Sequence, residues 1–349
     1  MSPIGLAVIG AGYWGPNLVR TALSTPVLRL EWLCDLDTQR AQAVLGLRSA
    51  VGVTSSYDQV LADPAVAAVA IATPAATHFD LVRAALEAGK HVLVEKPLTA
   101  TAAEGQKLAG LARRSGLVLM CDHTYCYTPA VRRIRELIRG GEIGEVQFVD
   151  SVRINLGLVQ RDVDVLWDLA PHDLSILDFV LPEHAVPVAV AAHASDPIGA
   201  GRACLAYLSV WLSTGALAHI HVNWLSPTKI RTTVFGGSRR TIVWDDMNPA
   251  QRLAVHDRGV DGLEAGSLPP DERRQALISY RLGDTLVPAL PEREALLSVM
   301  EEFAAAIGEG RAPLTDALAG LRVLTLLEAA SRSAAADGAR IPVTMEVTS

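Results

Sequence analysis

The chain has little of what marks several protein classes. Only four cysteines occur in 349 residues, at positions 34, 121, 126 and 204, and none forms a C-x-x-C pair. So few cysteines in so long a chain fit free, mostly buried thiols in a reducing compartment. Cys121, His123 and Cys126 lie close together, but no second Cys/His cluster has the spacing of a closed zinc site, so no metal is expected. Basic residues are in deficit, with 31 Lys and Arg against 38 Asp and Glu and a net charge of −7. Because neutralising phosphates needs a basic face, a general nucleic-acid binder is excluded. The N-terminus, Met1-Ser2-Pro3-Ile4-Gly5, lacks the basic n-region of a signal peptide, and a cytoplasmic location is expected. Leu205 to Thr228 is 24 residues without a formal charge, long enough on length alone to span a bilayer. Gly215 interrupts it, and Leu217, His219, His221 and Asn223 alternate with Ala218, Ile220, Val222 and Trp224, the period-2 pattern of strands. No membrane partner is expected. Internal repeats and low-complexity tracts are also missing.

What is present is a globular composition, 50% apolar and 20% charged, in a chain too long for one typical core. Leu6-Ala7-Val8-Ile9 reads as a short apolar strand, followed by Gly10-Ala11-Gly12-Tyr13-Trp14-Gly15 and a helix-compatible run from Pro16. A lone G-x-G-x-x-G is weak, but strand before and helix after give it meaning. Gly10 permits the tight turn, Gly12 lets the backbone approach a pyrophosphate, and Gly15 lets helix and strand pack closely. The helix N-terminus offers N–H groups to the anion. The next strand, Leu28 to Cys34, ends in Asp35, placed to accept from adenosine ribose hydroxyls. A carboxylate about 4 Å from a 2′-phosphate costs roughly 4 kcal/mol per unit charge at an effective dielectric near 20, on the order of a thousandfold against NADP. Arg40, one turn into the next helix, offsets part of that. NAD is the expected cofactor, with NADP less favoured.

Strand and helix signals then alternate through Thr73-Pro74, a helix from about Thr77 to Ala88, the strand His91 to Glu95, a helix from Ala102 and a strand Leu117 to Cys121. This spacing is that of a parallel, doubly wound sheet, an α/β Rossmann domain over residues 1–124. The Gly-rich turn, Asp35, Thr73-Pro74 and Lys96 each follow a strand and so share its carboxyl edge, where such sheets bind ligands. Lys96 sits between Glu95 and Pro97, which holds it extended at the strand's end. Partial desolvation there can make a Lys catalytic; the alternative is a surface Lys at an ordinary strand-loop junction.

From Tyr125 the texture changes. After a helix from Pro129 to Arg139, strands dominate: 146–154, 187–194, 203–212, 216–224, 230–235, 240–244 and 253–256. So many strands with few helices between them imply an α+β domain with a mostly antiparallel sheet over residues 125–349. Pro171 is tolerable only in a first turn, which starts a helix at about Asp168. Asp168 and His172, four apart, share a face. Spacing leaves two readings open: His172 is a general base tuned by Asp168, or Asp168 is an N-cap beside a surface histidine. A last helix from Thr315, an apparent N-cap, to about Ala335 reads as structural and is placed against the first domain.

Taken together, Gly10-x-Gly12-x-x-Gly15, Ala72-Thr73-Pro74 to His78, Glu95-Lys96-Pro97 and Asp168-x-x-x-His172 resemble the Gfo/Idh/MocA family of oxidoreductases over nearly the whole chain. The resemblance implies a Rossmann domain followed by an open-faced antiparallel sheet, and hydride transfer between nicotinamide and a sugar or cyclitol carbon. It implies catalytic roles for Lys96, Asp168 and His172. Cofactor contacts are implied at Gly10, Ala11, Gly12, Tyr13, Trp14, Gly15, Asp35, Arg40, Thr73, Pro74, His78, Glu95, Lys96 and Trp167, and substrate contacts at Lys96, Tyr125, Arg153, Asn155, Asp168 and His172. Trp167-Asp168-Leu169-Ala170-Pro171-His172-Asp173, Arg161-Asp162-Val163 and His219 to Trp224 are most similar to the branch near UDP-N-acetylglucosamine 3-dehydrogenases and the aminosugar dehydrogenases of antibiotic pathways. A sugar hydroxyl, with C3 favoured, is therefore the expected substrate position. The reverse ketoreduction uses the same groups, and a non-catalytic NAD-binding regulator is the rival of another class. One departure is Asp122, where similar sequences lead one to expect Gly; a surface change is the expectation, and a modified pocket for an amino-bearing substrate is the alternative. Alternating strands that leave Leu, Val and Trp on an open face imply a homodimer or homotetramer.

Overall fold

The computed structural model describes residues 2–46, 50–157, 159–160, 163–261 and 279–345. Arg161 and Asp162 lie outside the described residues. The chain divides into two compact units, one of residues 1–129, 170–179 and 292–328, the other of 130–169, 180–291 and 329–349.

In the first unit, β1 (Ile4–Ile9), α1 (Gly15–Ser24), β2 (Leu28–Cys34), α2 (Thr38–Leu45), β3 (Gly52–Thr54), α3 (Tyr57–Ala62), β4 (Ala68–Ile71), α4 (His78–Glu87), β5 (His91–Glu95), α5 (Ala102–Ser115) and β6 (Leu119–Asp122) follow one another. The strands form one six-stranded sheet in the order β3-β2-β1-β4-β5-β6, with every pair parallel. This is the doubly wound order with its switch point between β1 and β4. All four residues of β4 and the centre of β5 are buried, because strands covered on both faces have no polar side to show. The edge strand β6 is closed by the segment before α9 (Ala317–Ala335), where Thr315 exchanges hydrogen bonds with the Cys121 backbone. Thr315 is therefore not the N-cap of α9; Asp316 takes that place, its Oδ1 accepting from the N–H of Ala319 at 2.9 Å.

The second unit is built on a nine-stranded sheet of described residues, ordered β14-β13-β12-β11-β7-β10-β9-β8-β15. Its strands are β7 (Val146–Leu156), β8 (Pro187–Ser195), β9 (Leu205–Leu212), β10 (Leu217–Asn223), β11 (Leu225–Gly237), β12 (Thr241–Asp245), β13 (Leu253–Asp261), β14 (Ser279–Leu286) and β15 (Ile341–Pro342). The expected α+β domain with a mostly antiparallel sheet is observed, with one parallel pair, β10 on β7. On β9 and β10 the inward set Leu208, Val210, Ala218, Ile220 and Val222 is buried, and Trp224 beyond β10 is 1% exposed. The open-face expectation holds in part: Leu217 is exposed and Trp211 alternates onto the same side as Tyr207 and His219, whereas Val210, Val222 and Trp224 turn inward, as the two-residue period requires. No helix of the described residues is long and apolar enough to cross a membrane.

α6 spans Pro129–Arg139, α7 Val165–Val180 and α8 Ala295–Glu309. α7 begins three residues before the expected Asp168 and carries Pro171 in its interior. Asp164 is the reason: its Oδ1 accepts from the Trp167 N–H at 3.0 Å and its carbonyl from Asp168 N at 3.0 Å. The capped first turn outweighs the one backbone donor that Pro171 lacks.

Candidate active site

Each strand end along the first sheet's carboxyl edge carries a distinct element. After β1, Gly10 has φ +99°, and a Cβ there would lie 2.7 Å from the Ala72 carbonyl oxygen. A Cβ on Gly15 would run into the Gly10 carbonyl oxygen, whereas a Cβ on Gly12 would meet nothing within 4 Å. The three glycines thus serve turn, helix packing and an open approach to backbone. No side chain caps α1, which leaves its first N–H groups for an anion. The Ala11 N–H donates to Asp35 Oδ2 at 2.6 Å, and Arg40 donates to Asp35 Oδ1 at 3.2 Å. Trp14 Nε1 is shielded from solvent with no acceptor among the described residues, and Tyr13 is 94% exposed. Leu36, equally exposed after Asp35, was not singled out from sequence; an apolar residue directly following the acidic strand end was the available signal. Open space at Gly12, an uncapped helix N-terminus and a carboxylate beside them fit a dinucleotide. Replacing Gly15 with Ala is expected to raise the Kd for NAD at least about tenfold, a 1.4 kcal/mol loss, as read by protein fluorescence titration.

Thr73 and Pro74 follow β4, and Thr73 Oγ1 shares a hydrogen bond with Thr77 Oγ1 at 2.7 Å. His78 is 1% exposed. Its Nδ1 lies 2.8 Å from the Pro97 carbonyl and its Nε2 2.9 Å from that of Thr73. The structure therefore places His78 as a brace between the loop after β4 and the Lys96–Pro97 segment, whose peptide bond is cis. Burial pushes its pKa below the ordinary value, partly offset by the carbonyls.

Glu95 ends β5 and is the register partner of Asp122, which ends β6. Lys96 and His123 are the next residues along the same edge. Asp122 is not the surface change expected; it is 1% exposed, because β6 is apolar and buried up to its last residue. Counting parallel register from β5 was the signal that could have found it. His123 is buried with neither ring nitrogen partnered among the described residues, and burial followed by the nearby Lys96 charge pushes its pKa down to about 3. Below the ordinary 6.5 the unfolded chain takes up a proton that folded His123 refuses, so stability falls as pH drops from 6.5 towards 3. The slope reaches about 1.4 kcal/mol per pH unit. Tm measured across that window is expected to fall, and less steeply in His123→Leu.

The 3-10 turn Thr124–Tyr127 follows, and Tyr125 meets His172 of α7 edge-to-face, with ring centroids 5.0 Å apart. Cys126 Sγ donates to the Ser175 carbonyl at 3.5 Å, and Arg322 pairs with both oxygens of Asp178 at 2.6 and 2.8 Å. Residues 170–179 of α7 are held by these bonds in the unit that contains Lys96. One turn earlier on the same helix, Asp168 accepts from Trp224 Nε1 at 3.0 Å. Trp167 Nε1 donates to Ser331 Oγ at 2.9 Å. Arg153, on β7, is buried beside its register partners Val222 and Arg231, and Asn155 lies two residues on, half-buried. Among the described residues no His/Cys/Asp/Glu group has a metal-holding arrangement.

Comparison with known proteins accords with this geometry. Residues 4–123 match the oxidoreductase family with an NAD-binding Rossmann fold, and residues 131–242 match the Gfo/Idh/MocA C-terminal domain. The UDP-N-acetylglucosamine 3-dehydrogenase of Acidithiobacillus ferrooxidans is 29% identical over 325 residues, covering 91% of this chain and 93% of the relative. The solved structure of that enzyme, GnnA, has a TM-score of 0.81 at 27% identity, over 96% of this chain and 99% of that one. GenD2 from gentamicin A biosynthesis, in complex with NAD, has a TM-score of 0.80 at 25% identity, over 99% of this chain and 97% of its own. A parallel sheet with a dinucleotide loop, a lysine at the end of β5, a histidine on α7 and both halves of one family's pattern lead to one conclusion: the chain belongs to the Gfo/Idh/MocA family of NAD-binding oxidoreductases.

Proposed function

We propose that this enzyme is a dehydrogenase oxidising a secondary hydroxyl of an amino sugar, with C3 the favoured position, on a nucleotide carrier or within an aminoglycoside-type intermediate. The observation that carries the reading is the placement of His172 against Tyr125 in the compact unit that also holds Lys96 and the Gly10–Gly15 loop. The names of the relatives support the substrate class: one acts on UDP-N-acetylglucosamine and another serves gentamicin A biosynthesis. Residues 1–124 bind the nucleotide and residues 125–349 supply most sugar contacts, with Arg153, Asn155 and Tyr125 among them. NAD, when bound, supplies the hydride acceptor. Lys96 donates a hydrogen bond to the substrate oxygen, and His172 takes the hydroxyl proton as the C–H bond loses its hydride. Asp168, held by Trp224, orients the histidine's turn of helix. A homo-oligomer forming through the outer sheet face completes the reading.

Purified protein with NAD and a panel of nucleotide-linked and aminoglycoside amino sugars should generate the NADH absorbance with at least one member. NADH consumption with keto-sugars alone would shift the reading to the reductase. No turnover in either direction, with NAD bound tightly, would overturn it. Asp35→Ser is expected to narrow the preference for NAD over NADP at least about tenfold, because it removes the charge facing a 2′-phosphate and frees Arg40. Paired Kd measurements test that.

A further inference from the structure

Glu95 and Asp122 are register partners at the ends of adjacent parallel strands, so their side chains leave the sheet on the same face. Glu95 as a residue is only partly covered, but its Oε1 and the Oδ2 of Asp122 are both sealed from solvent and receive no hydrogen bond from a donor among the described residues. Ionising both would set two like charges together in a poorly solvated place and leave both oxygens without donors. A single proton resolves both costs, since the O–H of one carboxylic acid donates to the carboxylate of the other. Thr124 Oγ1 donates to Asp122 Oδ1 at 2.7 Å, which favours the ionised form at Asp122 and leaves the proton on Glu95. Burial, and then the Asp122 charge, raise the Glu95 carboxyl well above the ordinary range, in agreement with that placement.

The surroundings define what the pair does. Lys96 directly follows Glu95 in the chain, and its charge acts on Glu95, Cys121 and His123 alike. His123 is kept neutral, the Cys121 thiol is raised chiefly by burial, and Cys126, Tyr127 and Thr124 approach from the following turn. A singly ionised pair and one ammonium sum to zero, whereas a doubly ionised pair would draw Lys96 back to the strand end.

We infer that Glu95 and Asp122 form a hydrogen-bonded carboxyl pair holding one proton, whose single negative charge anchors the Lys96 ammonium and makes Asp122 a positioning residue for Lys96. The positioning role rests on Lys96 being the group that holds the substrate oxygen.

Infrared difference spectra of the wild type against Asp122→Asn, recorded at neutral pH in H2O and D2O, test the pair without any substrate. The wild type should show a carboxylic-acid C=O band that shifts in D2O. Asp122→Asn should lack it, because the Asn amide donates to Glu95 and leaves that carboxylate ionised. Glu95→Gln gives the same reading by the reverse exchange if the first variant does not fold. In kinetics, Glu95→Gln/Asp122→Asn removes the pair's negative charge from beside Lys96. It should lose at least about tenfold more kcat/KM than Asp122→Asn, with the alkaline limb of the pH profile beginning about one pH unit lower; parallel NAD titration separates this from cofactor loss. A wild type without the band, a band that survives both single variants, or a double variant with the wild-type pH profile would overturn the inference. A band present in a protein that turns over no sugar would sink the proposed function and leave the carboxyl pair standing.

Discussion

Lys96→Ala is expected to lower kcat by about 10³-fold while the Kd for NAD changes by less than tenfold, because in the proposed mechanism the lost group acts on charge that develops at the substrate oxygen. The size of the effect follows from how the lysine is mounted. Val92, Leu93 and Val94 are buried in the centre of the sheet, and His78 holds the Pro97 carbonyl from the other side. The side chain therefore starts from a backbone that cannot follow a mispositioned substrate. His123, the next residue beyond β6, cannot substitute as a charged donor, since it stays neutral down to about pH 3. Arg is not a conservative replacement, because a planar fork presents its donors differently from a compact ammonium on a flexible stem. Single-turnover NADH formation, with NAD affinity measured separately, checks both halves of this expectation. A variant with wild-type turnover would remove Lys96 from the mechanism.

His172→Ala is expected to cost 10²- to 10⁴-fold in kcat, the usual worth of a positioned general base. The variant should also lose the acid limb that imidazole protonation gives the wild-type kcat/KM profile, since a protonated ring cannot accept the hydroxyl proton. Added imidazole should restore part of the rate, because Ala leaves the ring's volume against Tyr125 open. A purely structural histidine would instead lower Tm without changing the shape of the pH profile, and imidazole would not rescue it. These outcomes separate the general-base role from a structural histidine; of that alternative only the Asp168 N-cap falls, since Asp164 caps α7.

How much of this was legible in advance depends on how local the cause is. Gly10, Gly12 and Gly15 declared themselves because turn, approach and packing are properties of a six-residue stretch between a strand and a helix. Asp35 and Lys96 followed by position at strand ends, and the sheet order β3-β2-β1-β4-β5-β6 is what alternating strand and helix signals imply. The start of α7 was misjudged because Pro171 argued locally for a first turn, while the Asp164 cap made an earlier start stable. The open-face reading failed for Val210, Val222 and Trp224, though not for Trp211 or Leu217, because a two-residue period shows that faces differ without showing which one is covered.

Composition, periodicity and motif spacing were enough for the Rossmann domain, its dinucleotide loop, the mostly antiparallel second sheet and the candidates Lys96 and His172. Each depends on neighbours within one strand, turn or helix. Three features depended on the folded chain: the pairing of Glu95 with Asp122 across β5 and β6, the withdrawal of His123 from solvent, and the joining of residues 170–179 to the unit that holds Lys96. The physical reason is common to all three. Burial and proton sharing are set by which groups from distant parts of the chain exclude water together, and no stretch of sequence carries that information alone.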